Sequence, residues 1–238
     1  MATFVLVHGG GFDARCWDRL LPHLRHPAVA VDLPGRAGVP PGPREVRLVD
    51  FAAEVVRAIE GRDLTEVVLV GHSMAGVTLP RVMAAVAPRL AHVVFVACTV
   101  PPPGRRILDT LDPEVRALAE RAAPDAAEPA ALDPGVAAAV FCNDMDDDQR
   151  AFTLARLVPE AVGVVHEPVD LAGLGAPVPR TWVRLTRDLI VPPARQDEFA
   201  ATVGGCDVVE LDAGHMAMIS RPAGLAAVLD AIAGRSGR

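Results

Sequence analysis

The sequence predicts an α/β fold built on a mostly parallel sheet of about six strands, with flanking helices and a small helical cap. Short apolar runs rich in β-branched residues alternate with segments whose apolar residues recur at helical spacing. Several of these runs lead straight into Gly, Ser, Asp or His, the pattern of strands that deliver polar groups to one sheet edge. Residues 101–178 interrupt the alternation: they are rich in Ala, Pro and Asp and show no clear strand. The expected division is a core of residues 1–100 and 179–238 with a helical cap of residues 101–178 inserted into it.

Residues 4–7 read as the first strand and lead into His8-Gly9-Gly10-Gly11. Trp17, Leu20, Leu21 and Leu24 share one helical face, so a helix is expected over 13–24. Residues 28–31 predict a second strand, followed by a loop rich in Pro and Gly that reaches Pro43. Asp50 is expected to cap the helix that carries Phe51, Val55, Val56 and Ile59. Residues 67–70 are four apolar residues in a row, which suits a strand buried on both faces. The helix after it should run from Met74 to Pro88, with a distortion at Pro80. Residues 92–97 supply the fourth strand.

Within the insert, Asp112 and Asp133 each precede a proline, the signature of an N-cap with Pro at the first helical position. Helices are expected over 114–123, 134–141 and 147–157. A disordered linker is excluded because Phe141, Phe152, Leu154, Leu157, Val164 and Val165 supply too much apolar surface. Asp144, Asp146 and Asp148 have the spacing of a calcium loop. Gln149 stands where such a loop needs glycine, however, and Ala155 where it needs glutamate, so helix capping and solvation account for the run and no metal is expected. Strands return at 181–185 and 207–211, with a helix at 195–203 between them and a last helix at 223–233.

Composition narrows the function. At 238 residues and 51% hydrophobic, the chain can bury a large core, yet no apolar run approaches the roughly 20 residues that span a bilayer. The N-terminus lacks a basic region ahead of its apolar stretch, so a cytoplasmic protein is expected. Cys16, Cys98, Cys142 and Cys206 form no C-x-x-C pair and are expected to be buried free thiols. A net charge of −7 without a basic cluster argues against nucleic acid, and the absence of Tyr removes any phenol from catalysis.

The chemistry is concentrated at three strand ends. Gly71-His72-Ser73-Met74-Ala75-Gly76 follows the third strand and opens a helix, as does the elbow that lifts a serine hydroxyl above a sheet edge. The G-x-S-x-G pattern is varied, with Ala75 at its last position and glycine one residue later. Asp188 follows the fifth strand and His215 the sixth. A serine hydroxyl needs a base, and a histidine base needs a carboxylate to fix its tautomer, so Ser73, His215 and Asp188 are the expected nucleophile, base and acid. Asp207 begins its strand and lies at the wrong sheet edge, while Asp212 is too close to His215 along the chain to reach its far nitrogen. The backbone N–H groups of Gly10 and Met74 are the expected oxyanion donors. Phe141, Phe152 and Leu157 are the expected apolar wall of the pocket. His72 and His8 are read as packing and loop-shaping residues, His166 as a surface histidine and Cys98 as a buried small hydrophobe.

The order Ser, Asp, His along the chain resembles that of the α/β-hydrolase superfamily. Within it the chain is most similar to the branch of plant methylesterases, salicylate-binding esterases and hydroxynitrile lyases. That similarity rests on Phe4 to Gly9, the Gly71-His72-Ser73 elbow, Phe141-Cys142-Asn143-Asp144 and Gly214-His215-Met216-Ala217-Met218. The resemblance implies a six-stranded core, a small cap over the serine and no cofactor. It also implies an esterase: the lyases of this branch carry lysine and threonine where Met216 and Gly9 stand here.

The resulting expectation is a serine hydrolase that cleaves a small to medium, largely apolar carboxylic ester through an acyl-enzyme. Its partner is a small-molecule ester, with no nucleic acid and no membrane, and a homodimer is left open. A thioesterase or tailoring hydrolase of a biosynthetic acyl intermediate uses the same residues, as does a slow-turnover ligand-binding protein of the same fold.

Overall fold

Residues 2–36, 38–40, 45–111, 116, 120 and 131–236 are described in the computed structural model. The apolar runs form six strands: β1 (Thr3–Val7), β2 (Ala28–Val31), β3 (Val67–His72), β4 (Leu90–Val96), β5 (Arg180–Leu185) and β6 (Cys206–Leu211). They make one sheet in the order β2-β1-β3-β4-β5-β6, and every neighbouring pair is parallel. All six residues of β3 are buried, as a strand covered on both faces requires.

Side-chain alternation divides the core into two layers. Val5, Val7, Val67, Leu69, Val93 and Phe95 face one layer. There they meet α1 (Leu48–Glu60) through Phe51, Val55 and Ile59, and α2 (Leu79–Val86) through Val82 and Met83. Phe4, Leu6, Val68, Val70, Val94 and Val96 face the other, packed against Trp17 and against Leu225, Leu229 and Ile232 of the C-terminal helix Pro222–Ser236. The strand order reverses between β1 and β3, which carry polar residues to the same edge at the point where a parallel sheet opens a crevice.

Between β4 and β5 the described residues form helices and turns but no strand: Ile107–Thr110, α3 (Pro134–Phe141), α4 (Asp147–Leu154), Val162–His166 and Ala172–Gly175. Asp133 caps α3, accepting the N–H groups of Gly135 and Val136. The helix expected over 114–123 lies mostly outside the described residues. The next helices are α5 (Pro193–Val203), the single turn α6 (Ala217–Ser220) and α7 (Pro222–Ser236). No helix among the described residues is long and apolar enough to cross a membrane.

Four local expectations are corrected. The stretch 13–24 is two 3₁₀ turns, Ala14–Trp17 and Leu21–His23, because Pro22 has no N–H to continue an α-helical ladder. Asp50 is the third residue of α1, where its carboxylate accepts the Arg47 N–H, while Glu167 accepts the Leu48 N–H. Pro80 does not distort a long helix. Residues Ser73–Val77 are a 3₁₀ turn and α2 begins afresh at Leu79, with Pro80 in its first turn, where no N–H is missed. Cys16, Cys98 and Cys142 are buried free thiols, but Cys206 is only half-buried, since it begins the edge strand β6.

Candidate active site

The turn after β3 sets the geometry. Ser73 has φ of +53°, in the left-handed region that L-residues enter only when their surroundings impose it. The turn is closely packed: a Cβ on Gly76 would lie 2.5 Å from Thr99 O and 2.8 Å from Cys98 Cβ. The glycine one place beyond the usual motif is therefore required by the approach of the turn to the chain after β4. The Thr99 N–H also donates to Ser73 C=O at 2.8 Å.

Ser73 Oγ is 2.9 Å from His215 Nε2, and His215 Nδ1 is 2.7 Å from Asp188 Oδ2. A carboxylate only accepts, so Nδ1 carries the proton and Nε2 is left to accept from the serine. The Asp188 and His215 side chains are almost wholly buried, and Asp188 Oδ1 accepts the N–H groups of Ile190 and Val191 at 2.8 Å each. Four hydrogen-bonding contacts thus hold the three side chains in one line. The competing aspartates stand apart: Asp212 is exposed and engages Thr186 and Arg187, and Asp207 lies at the opposite end of β6.

Gly10 and Met74 face each other, since a Cβ on Gly10 would lie 3.5 Å from Met74 Sδ. Among the described residues neither N–H donates to a protein acceptor. The loop carrying Gly10 is held by two groups that the sequence did not single out. Glu160 Oε2 accepts the Gly11 N–H at 2.8 Å, and Glu160 Oε1 pairs with the buried Arg36 guanidinium. Arg36 and Glu160 are 124 residues apart, so no local pattern announces the pair.

His72 does more than pack. Its Nε2–H donates to His215 C=O at 2.8 Å, and its ring lies 4.5 Å from the His215 ring, with Trp17 edge-on behind it. Burial, and then the charge that His215 can carry, push the His72 pKa well below the ordinary histidine value. A neutral His72 adds no repulsion when His215 takes a proton. His8 accepts the Leu33 N–H on Nε2 and donates from Nδ1 to Gly9 C=O, so it ties the β1 and β2 ends together. Burial and the charge on Arg36 lower its pKa to about 3. Burial pushes the Cys98 thiol far up, and its Sγ donates to Gly71 C=O, which leaves it a poor nucleophile. His166 is half-buried, on the turn Val162–His166.

A cleft of about 420 Å³ adjoins the Gly10 loop, lined by Met74, Phe141, Leu157 and Val158 together with Asp133 and Glu160. Phe141 also lies 5.8 Å from the His215 ring. Phe152 does not line this cleft. Its ring is covered by the Arg156 and Arg19 guanidinium groups, 3.3 and 4.4 Å from its centroid, and packs against the core layer that holds Trp17.

Over nearly its whole length the chain is similar to known proteins. An esterase of Nocardioides sp. (strain SG-4G) that hydrolyses carbendazim is 30% identical, over 98% of this chain and the whole of that protein. Methylesterase 18 of Arabidopsis thaliana is 26% identical over 92% of each chain. Among solved structures, an extracellular alpha/beta-hydrolase from a Paenibacillus species superposes with a TM-score of 0.85 at 23% identity, covering 96% of this chain and 98% of that one. Polyneuridine aldehyde esterase superposes with a TM-score of 0.76 at 22% identity over 98% and 99%. The model of the alpha/beta hydrolase family matches residues 4–228, the span that runs from β1 into the C-terminal helix and holds every strand-end residue described above. With its sheet order, its strained serine turn and this near-complete match, the chain belongs to the alpha/beta hydrolase family.

Proposed function

We propose that this protein is a carboxylic ester hydrolase that cleaves small to medium, largely apolar esters through an acyl-enzyme intermediate. The observation that carries the reading is the hydrogen-bonded line Ser73–His215–Asp188. Its nearest support from outside is that full-length relatives are named esterases.

In this reading Ser73 Oγ attacks the ester carbonyl carbon as His215 Nε2 takes its proton. Asp188 Oδ2, accepting the Nδ1 proton, stabilises the imidazolium that forms. The carbonyl oxygen becomes an oxyanion and is met by the N–H groups of Gly10 and Met74, which have no competing acceptor among the described residues. Collapse of the tetrahedral species breaks the bond to the alcohol oxygen, which leaves with the proton from His215. Water then attacks the acyl-enzyme, His215 again acting as base, and the acid departs. Residues 101–178 serve as the cap, and Phe141 and Leu157 supply its apolar contact with the acyl or alcohol group. No step calls for a metal or cofactor.

The test is a panel of p-nitrophenyl esters with acyl chains of two to eight carbons, run beside an acyl thioester and mandelonitrile. Expected are turnover of the esters that Ser73→Ala abolishes, kcat/KM rising with chain length by up to about fourfold per methylene, equivalent to about 0.8 kcal/mol, and no cyanide release. Ester turnover that survives in a folded Ser73→Ala protein would overturn the assignment. A flat chain-length series would remove the apolar pocket.

A further inference from the structure

The segment that joins α3 to α4 touches the chain immediately before both partners of Ser73. Asn143 Nδ2 donates to the C=O of Arg187, the residue before Asp188, at 2.8 Å. Asp144 Oδ2 accepts the N–H of Gly214, the residue before His215, also at 2.8 Å. Two consecutive side chains of the insert therefore grip the two loops that must stay in register for the Asp188–His215 hydrogen bond.

The fit on the His215 side is close. A Cβ on Gly214 would lie 2.6 Å from Asp144 Oδ1 and 2.7 Å from Asn143 Oδ1, so only glycine lets this segment seat against the loop. Asp144 Oδ1 is buried and has no hydrogen-bond partner among the described residues. An unpartnered buried carboxylate oxygen is unfavourable for folding, and stability alone does not explain an aspartate there. The helix that follows, α4, is tied to the chain after His215, because Gln149 Nε2 donates to Ser220 C=O at 3.2 Å. Phe141, just before Asn143 and Asp144 in the chain, lies 5.8 Å from the His215 ring and lines the cleft.

We infer that Asp144, supported by Asn143, is a positioning residue that clamps the His215 loop to the Asp188 loop and so couples the seating of the insert to the reactivity of Ser73. It touches neither substrate nor Ser73 and acts only through the chain that carries His215 and Asp188. The inference rests on the reading of Ser73, His215 and Asp188 as a hydrolytic triad.

The experiment measures two quantities on the full chain: kcat and KM for a p-nitrophenyl ester, and the rate at which a fluorophosphonate labels Ser73. Labelling needs an activated serine but no matched ester, so it reads the clamp even where the ester is a poor substrate. Asp144→Ala is expected to lower both kcat and the labelling rate by about 10- to 100-fold with KM within about threefold, the loss that follows a small misplacement of reacting groups. Asp144→Asn keeps an oxygen for the Gly214 N–H and should restore most of both. Gly214→Ala should resemble Asp144→Ala, and Asn143→Ala should show a smaller loss of the same kind. If Asp144→Ala does not fold, Gly214→Ala and Asn143→Ala decide the matter. Folded variants that label at the wild-type rate would overturn the clamp, and so would a rise in KM with kcat unchanged, which belongs to a pocket wall. A wild type that labels at Ser73 but turns over no ester would count against the proposed substrate class and leave the clamp to be read from labelling.

Discussion

Glu160 Oε2 accepts the Gly11 backbone N–H at 2.8 Å, so a side chain from the stretch between β4 and β5 holds the loop that follows β1. The other oxygen of this carboxylate neutralises Arg36, whose side chain is fully buried. Glu160→Ala would leave that guanidinium buried without its partner, at a cost of about 3 kcal/mol. For a chain of this length that corresponds to a fall in melting temperature of about 6–12 °C. The double variant Arg36→Met/Glu160→Gln should recover most of the stability while kcat stays low, because the Gly11 N–H loses its charged acceptor. Thermal melts and kcat on the single and double variants check both halves, and a single variant as stable as wild type would refute the first.

Strain at Ser73 predicts an unusual ordering of two inactive variants. A residue with a Cβ held at positive φ costs about 1–2 kcal/mol, whereas glycine does not pay that steric cost. Glycine loses about 0.5–1 kcal/mol more backbone entropy on folding, which offsets part of the relief. Ser73→Gly should therefore melt about 1–3 °C above Ser73→Ala, although neither turns over ester. Differential scanning calorimetry measures this, and the reverse order would mean that the turn relaxes in the variants.

Asp188 and Asp212 each follow a strand at the sheet edge that carries His215, and the structure separates them. Asp188→Asn should lower kcat by about 10³–10⁴-fold, since an amide can present the wrong partner to Nδ1. Asp212 engages Thr186 and Arg187 at the surface, where such pairs are worth about 0–1 kcal/mol, and Asp212→Asn should cost less than about tenfold in kcat. Kinetics on the two folded variants give the ranking directly.

Acid should destabilise the protein through its buried histidines. His8 and His72 both have folded-state pKa values below the ordinary 6.5, His8 at about 3. The unfolded chain therefore binds protons near pH 6.5 while the folded chain does not, so stability is full above pH 6.5 and falls as the pH drops. For His8 the loss ends only near pH 3, where the folded form also protonates. Between pH 6.5 and pH 5 His8 alone should remove about 2 kcal/mol, and His72 adds a loss of the same sign. Urea unfolding at pH 7 and pH 5 checks the slope, and His8→Asn should flatten it by the share of one histidine.

The sequence by itself determined the fold class and the three groups on one line. Apolar runs such as residues 67–70 are local, and burial on both faces of a parallel strand leaves a pattern that a linear reading detects. Ser73, Asp188 and His215 each sit just past such a run, so strand ends alone bring them to one edge. What happens between runs was less legible: 13–24 has helical spacing, yet Pro22 divides it, and Asp50 occupies the third helical position because Arg47 and Glu167 set the start of α1. Tertiary structure alone decided the supports of the site. The Arg36–Glu160 pair, the His72 bond to His215 C=O and the contacts of Asn143 and Asp144 join positions 44 to 143 residues apart. The contacts of Glu160, Asn143 and Asp144 depend on how the insert seats on the sheet. A hydrogen bond between distant segments imposes no periodicity on either, so nothing along the chain records it until the chain is folded.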